Sequence, residues 1–147
     1  MLGGHLLRLI ERHSDELAAG LTKKLRSSER TNEFRKVPNE ELQDGAREIY
    51  RNLSDWLLTK TESDIELRYT QLGARRAEQG IPMAQFLWAV LVSKEHLFAF
   101  LRREGFVEGA VQLYGELELL QLLDQFFDRA VYFAVVGYEK TRLRKAA

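Results

Sequence analysis

His5, His13 and His96 are the only imidazoles in a chain of 147 residues that contains no cysteine. Imidazoles can bind metal, move protons or ligate haem, so their placement comes first. No two of them form the i, i+4 pair of a zinc-binding HExxH helix, and without thiolates no Cys/His cluster can be assembled. No GxSxG elbow, P-loop or glycine-rich phosphate turn occurs either. The carboxylate pairs Glu40-Glu41 and Glu116/Glu118 fall on helix faces that are otherwise solvated, the usual position of charged residues. His96 carries the one specific alternative. A lone histidine in an all-helical chain could serve as the proximal ligand of a haem. By helical angle it lies on the flank of an apolar stripe, beside Phe100, so haem stands as the runner-up and no metal or cofactor is expected.

Polar residues on apolar stripes are the next candidates, because burial without a partner is costly. His13 falls between Ile10 and Leu17, Arg76 follows Tyr69 and Leu72, and Lys94 adjoins the Val90–Leu97 stripe. The plain reading is a hydrogen-bonded core histidine, an arginine paired with a carboxylate and a lysine reaching out to water. The sharper reading gathers His13, Tyr69 and Arg76 around a small ligand. An enzyme would require all three to converge in one pocket. Trp56, Trp88, Phe86, Phe98, Phe126 and Phe127 recur at helical spacing and read as core packing, not as a cofactor box.

Five amphipathic segments must position these groups. Residues ~4–27 predict a first helix with Leu6, Ile10, Leu17, Leu21 and Leu25 along one side. Ser27–Asn32 reads as a loop. A second helix follows Pro38 with Asn39 as its cap, and Leu42, Ala46, Ile49, Leu53, Trp56 and Leu57 form its stripe. Ser63 and Glu66 have the spacing of a capping box for a third helix, which stops at Gly80 in a left-handed cap. Pro82 opens a fourth, with Phe86, Val90, Leu97 and Leu101, ending before Gly105. The fifth, from Phe106 towards Ala147, is proline-free and apolar on two faces, so both must be covered. At ~60 Å it outruns a domain expected to be ~40 Å across. The other helices supply enough stripe for Leu113 to Phe127, which leaves Val131–Tyr138 and the basic ending Lys140–Lys145 in need of a partner.

No segment alternates with period two, so the fold class is all-α: one domain, 1–147, a five-helix bundle with either bundle or globin-like crossings and a long C-terminal helix. Hydrophobic residues make up 45% and charged residues 30% of the chain, which suits a folded domain. Its 22 basic and 22 acidic side chains cancel, which disfavours broad phosphate binding and hence nucleic acid. No apolar run approaches the ~20 residues of a bilayer span, and the start Met1-Leu2-Gly3-Gly4-His5 lacks a secretory layout. A cytoplasmic location is expected.

Longer motifs add a family. Arg68-Tyr69-Thr70-Gln71-Leu72-Gly73-Ala74-Arg75-Arg76-Ala77-Glu78-Gln79-Gly80-Ile81-Pro82-Met83, followed by His96-Leu97-Phe98-Ala99-Phe100-Leu101, resembles the N-terminal sensory domain of RsbT co-antagonist proteins of the RsbRD type. Ile10–Leu17, Ile49–Leu57 and Phe126–Phe133 agree with it, so the similarity spans nearly the whole chain. The resemblance implies a bacterial, cytosolic, non-enzymatic input module, related to stressosome sensors with a haem-free globin-like fold that dimerise. Such domains usually precede an output domain. Here no STAS, PAS or kinase region follows the last helix, as expected of an excised domain or a stand-alone relative.

These readings combine into a signalling input domain that homodimerises and relays a signal through its last helix to a downstream or separate protein. Phe126, Phe127, Val131 and Tyr138 are the expected dimer contacts.

Overall fold

A computed structural model describes residues 4–104 and 109–146. Phe106, placed at the start of the fifth helix by its periodicity, lies outside the described residues. The elements run α1 (Gly4–Arg12), α2 (Ser14–Ser27), a 3₁₀ segment (Glu29–Lys36), α3 (Asn39–Arg51), α4 (Leu53–Leu58), α5 (Glu62–Glu78), α6 (Met83–Glu104) and α7 (Ala110–Ala146). The fold is all-α, with no strand among the described residues.

Two of the five expected helices are broken, and by the same device. At His13 the backbone leaves helical geometry (φ −105°, ψ 20°), and the ring Nδ1 lies 2.8 Å from the Leu9 carbonyl. At Asn52 the angles are nearly the same (φ −112°, ψ 28°), and the side-chain amide donates to the Glu48 carbonyl at 2.9 Å. Each side chain competes for the carbonyl four residues back, which bends a helix where it sits. Apolar periodicity passes through both kinks undisturbed, which is why it predicts two long helices.

Local signals explain the other boundaries. The capping box belongs to Thr61 and Asp64, not to Ser63 and Glu66: Thr61 Oγ1 accepts from the Asp64 N–H and the Asp64 carboxylate accepts from the Thr61 N–H. Gly80 ends α5 at φ +75°, a backbone that L side chains rarely adopt. The stretch expected as loop after Ser27 continues instead as 3₁₀ turns. Thr31 donates to the Leu25 carbonyl, and Gln85 of α6 holds both the Glu33 N–H and the Asn32 side chain. This segment therefore bridges α2 and α6.

α5 and α7 form the most extensive helix pair in the molecule. They run parallel: Glu62 pairs with Arg129, Thr70 lies against Gly137, and Lys145 donates to the carbonyls of Ala77 and Glu78. Facing residues are small, with Thr70, Gly73 and Ala77 on α5 and Ala130, Ala134, Gly137 and Thr141 on α7. A Cβ built on Gly73 would run into the Ala134 backbone, and one on Gly137 into the Thr70 backbone. α6 lies antiparallel to α7, with Lys94 paired to Asp124 and Phe86 stacked on Tyr138.

This packing covers more of the last helix than expected. Its C-terminal half is covered by the chain itself, since Ala130, Ala134 and Tyr138 are buried and Lys145 caps the end of α5. The apolar face left open is at the first turns, where Leu113, Tyr114 and Leu117 are exposed, with Tyr132 and Leu143 exposed singly further along; from Leu119 to Phe127 the helix is packed into the core. Apolar periodicity could not anticipate this, because glycine and alanine carry little apolar signal yet permit the closest contact. α6 is also a correction, since by length and composition alone it is apolar enough to cross a bilayer. Its polar side chains nevertheless find partners within the chain: Lys94 on Asp124 and His96 on the Leu17 carbonyl.

Candidate functional site

A partly open cavity of about 140 Å³ lies where α2, α3, α5, α6 and α7 meet. Its walls are mainly apolar, supplied by Leu21, Leu25, Ile49, Leu72, Val90 and Phe127 among others. α3 is laid along α2, and α5 along α7. Between α3 and α5, long side chains make the links. Arg68 reaches the Gly45 carbonyl at 3.3 Å and lies 3.6 Å from Glu48, while Arg75 and Arg76 grip Glu41 at 2.9 and 2.6 Å. A cavity persists at this seam because arginine stems span a gap that helix-on-helix packing would have closed.

Arg76 is 6% exposed, so its charge needs a full set of partners. Glu41 Oε2 accepts from it, as does Gln79 Oε1 at 2.9 Å, and Gln79 Nε2 in turn donates to Glu41. Burial pushes the Glu41 carboxyl up, but hydrogen bonds from Arg75, Gln79 and Arg76 outweigh it and bring the pKa down to about 2. Arg76 therefore has the carboxylate partner expected of it, and Lys94 reaches Asp124.

Tyr50 and Tyr69 line the same cavity. Burial raises the pKa of both phenols, with Tyr69 adding to the effect at Tyr50 and Arg68 opposing it at Tyr69. Both are neutral hydroxyl donors at any physiological pH. Tyr69 meets Phe126 edge-on at a centroid distance of 5.8 Å, and Phe126 continues to Trp56 and Phe127. This aromatic run ties the cavity wall to α4 and α7.

The structure thus brings together two of the three predicted ligand residues, Tyr69 and Arg76. His13 is elsewhere, at the α1–α2 kink, with its ring 5.5 Å from that of Phe100. The convergence an enzyme would require is not met. Of the expected dimer contacts, Phe126, Phe127 and Tyr138 are buried in the chain's own core and Val131 is half-buried. His96 directs Nε2 at the Leu17 carbonyl, 3.0 Å away, and does not line the cavity. Its pKa is lowered by burial first and by Lys24 second. The other ring nitrogen, Nδ1, is buried without a hydrogen-bond partner, and the 140 Å³ cavity is far smaller than a haem.

A second concavity, about 360 Å³, opens between α1, α6 and the first half of α7, lined by Leu6, Phe98, Leu101, Leu113, Leu117 and Leu120. Glu116 and Arg102 also border it. Against the solvated face expected of it, Glu116 is 2% exposed; its carboxylate has no hydrogen-bond partner among the described residues, and burial raises its pKa against the opposing charges of His5 and Arg8.

The family model described as the RsbT co-antagonist protein rsbRD N-terminal domain matches residues 15–147. The chain belongs to this family. It is accordingly a regulatory signalling domain of the stressosome type. Comparison with curated proteins and with solved structures gave no match. The matched region takes in every cavity-lining residue and both glycines of the α5–α7 crossing. Tyr50, Arg68, Glu41 and that crossing are what reading the sequence misses. Two glycines inside helices, away from any cap, were the available signal.

Proposed function

We propose that this RsbRD N-terminal domain is a non-catalytic cytoplasmic input module that homodimerises and passes its signal along α7 to an output partner. One observation carries the reading. α7 is a single helix of 37 residues that walls the cavity through Phe127 and Ala130, clamps α5 through Ala134 and Gly137, and begins with an uncovered apolar face. A stimulus at the cavity and a partner on that face therefore act on one rigid element.

The dimer contact suits the first half of α7 better than the residues its periodicity suggests. Leu113, Tyr114 and Leu117 stand exposed beside the apolar groove against α6. An identical face from a second copy would cover both in a two-fold, isologous contact. Sedimentation equilibrium at tens of micromolar should give a dimer that Leu113→Ser with Leu117→Ser returns to monomer, with unchanged helical circular dichroism. A wild-type chain that stays monomeric in that range refutes the dimer and, with it, a relay through dimer geometry.

A further inference from the structure

We infer that the 140 Å³ cavity is a binding site for a small, neutral, largely apolar molecule, about the size of a six-membered ring, that carries one hydrogen-bond acceptor for the Tyr50 hydroxyl. The inference rests on the sensory reading above and names the chemistry of its input.

Size comes from the volume. An apolar cavity of ~150 Å³ admits benzene, so 140 Å³ holds roughly six to eight non-hydrogen atoms. The walls exclude a strongly polar guest, because few of the lining residues can replace its lost water. The acceptor follows from the tyrosines. Tyr50 is 3% exposed, and neither its hydroxyl nor that of Tyr69 has a hydrogen-bond partner among the described residues. Both tyrosines line the cavity, as does Arg68, whose Nε is buried without a hydrogen-bond partner. A hydroxyl donor that has no protein partner and lies in the wall of an apolar cavity is a recognition element for an acceptor oxygen.

Charge argues for a neutral guest. Arg76 is matched by Glu41 and Arg68 lies beside Glu48, so these cations at the seam are balanced by carboxylates. An anion would have to compete with Glu41 and Glu48 for them.

The test uses cyclohexanone, with cyclohexane as a shape control and cyclohexanecarboxylate as a charge control, followed by methyl NMR of the full chain. Cyclohexanone should shift the methyl resonances of Leu21, Leu72 and Val90. Tyr50→Phe should weaken it about two- to tenfold, the worth of one neutral hydrogen bond, while leaving cyclohexane binding intact. Ala89→Leu, which adds bulk to the cavity wall, should remove both. The proposal is overturned by an absence of methyl shifts, by tighter binding of the carboxylate, or by equal affinity in Tyr50→Phe. Oligomeric state is measured on the same samples. A dimer that ignores cyclohexanone removes the ligand class alone, and a monomer that binds it removes the dimer relay alone.

Discussion

Replacing Gly73 or Gly137 by alanine attacks the joint on which the proposed relay depends. At either position the new Cβ falls about an ångström inside the 3.0 Å that real Cβ atoms keep from their neighbours. The obstacle is backbone, the Ala134 carbonyl in one case and that of Thr70 in the other, so no rotamer change relieves it. α5 and α7 must move apart by about that distance along their shared length. Overpacking of this kind costs about 1–3 kcal/mol and sometimes more, while a helical Gly→Ala change alone returns up to ~1 kcal/mol. The worse of the two clashes, at Gly73, meets the α7 backbone at both Ala134 and Tyr138, so a net loss of ~2 kcal/mol is the working figure. For a chain of this length that lowers Tm by roughly 4–8 °C. Gly45→Ala is the matched control, because there the nearest atom to the new Cβ is Arg68 Nη2 at 4.0 Å. It should be neutral or raise Tm by a few degrees. Thermal unfolding followed by far-ultraviolet circular dichroism separates the three. If Gly73→Ala and Gly137→Ala both melt at or above the parent temperature, the helices do not cross as closely as described, and the argument for α7 as a rigid relay fails with them.

Glu41→Gln should destabilise more than Arg76→Met, because it leaves a buried guanidinium without its anion whereas the reverse change leaves Glu41 with Arg75; urea denaturation of both orders them. Because the folded pKa of Glu41 is depressed to about 2, its contribution is complete above the unfolded value near 4.5 and disappears as pH falls towards 2. That contribution is roughly 2 kcal/mol after allowing for partial exposure, and the stability–pH curve of Glu41→Gln should be flatter by that amount across this window. His96 also has a depressed pKa, so it supports the fold above its unfolded value of ~6.5 and withdraws that support as pH falls. His96→Gln should reduce the slope of stability between pH 7 and 5, and an unchanged slope refutes the burial argument. Lys145→Ala removes the cation from the C-terminal carbonyls of α5, worth about 0.3–1 kcal/mol; hydrogen exchange should quicken at that end and not at Glu62.

Much of the fold was legible because its stripes are long and its stops are chemical. Gly80 and Pro82 mark one boundary by backbone preference alone, and Arg76 declared itself by sitting on an apolar face. The kinks at His13 and Asn52 were not legible, since each depends on one side chain choosing a carbonyl within its own helix. The cavity was half legible. Tyr69 and Arg76 share a helix face, so their spacing places them together, but Tyr50 and Glu41 come from a helix that reaches them through side chains across a gap. No periodicity encodes a gap. His13 was misplaced for a related reason: an apolar stripe specifies that a residue is inside, not which interior region it borders.

The same gap decides how a guest could be felt outside the cavity. Side-chain contacts can slide, while backbone packed on backbone cannot, because it has no rotamers through which to yield. Across the α3–α5 seam the links are arginines with flexible stems; along α5–α7 they are Gly73 on Ala134 and Thr70 on Gly137. On the proposed reading, a molecule that presses Leu72, Phe127 and Ala130 outward displaces α5 and α7 together, as one body against the α2–α3 layer. The two helices run parallel, with Arg129 anchored on Glu62 at one end and Lys145 on the end of α5 at the other, so the pair moves without changing register. In the relay proposed above, motion that begins at the cavity is carried to the place where α7 leaves this embrace, its exposed first turns at Leu113 and Leu117.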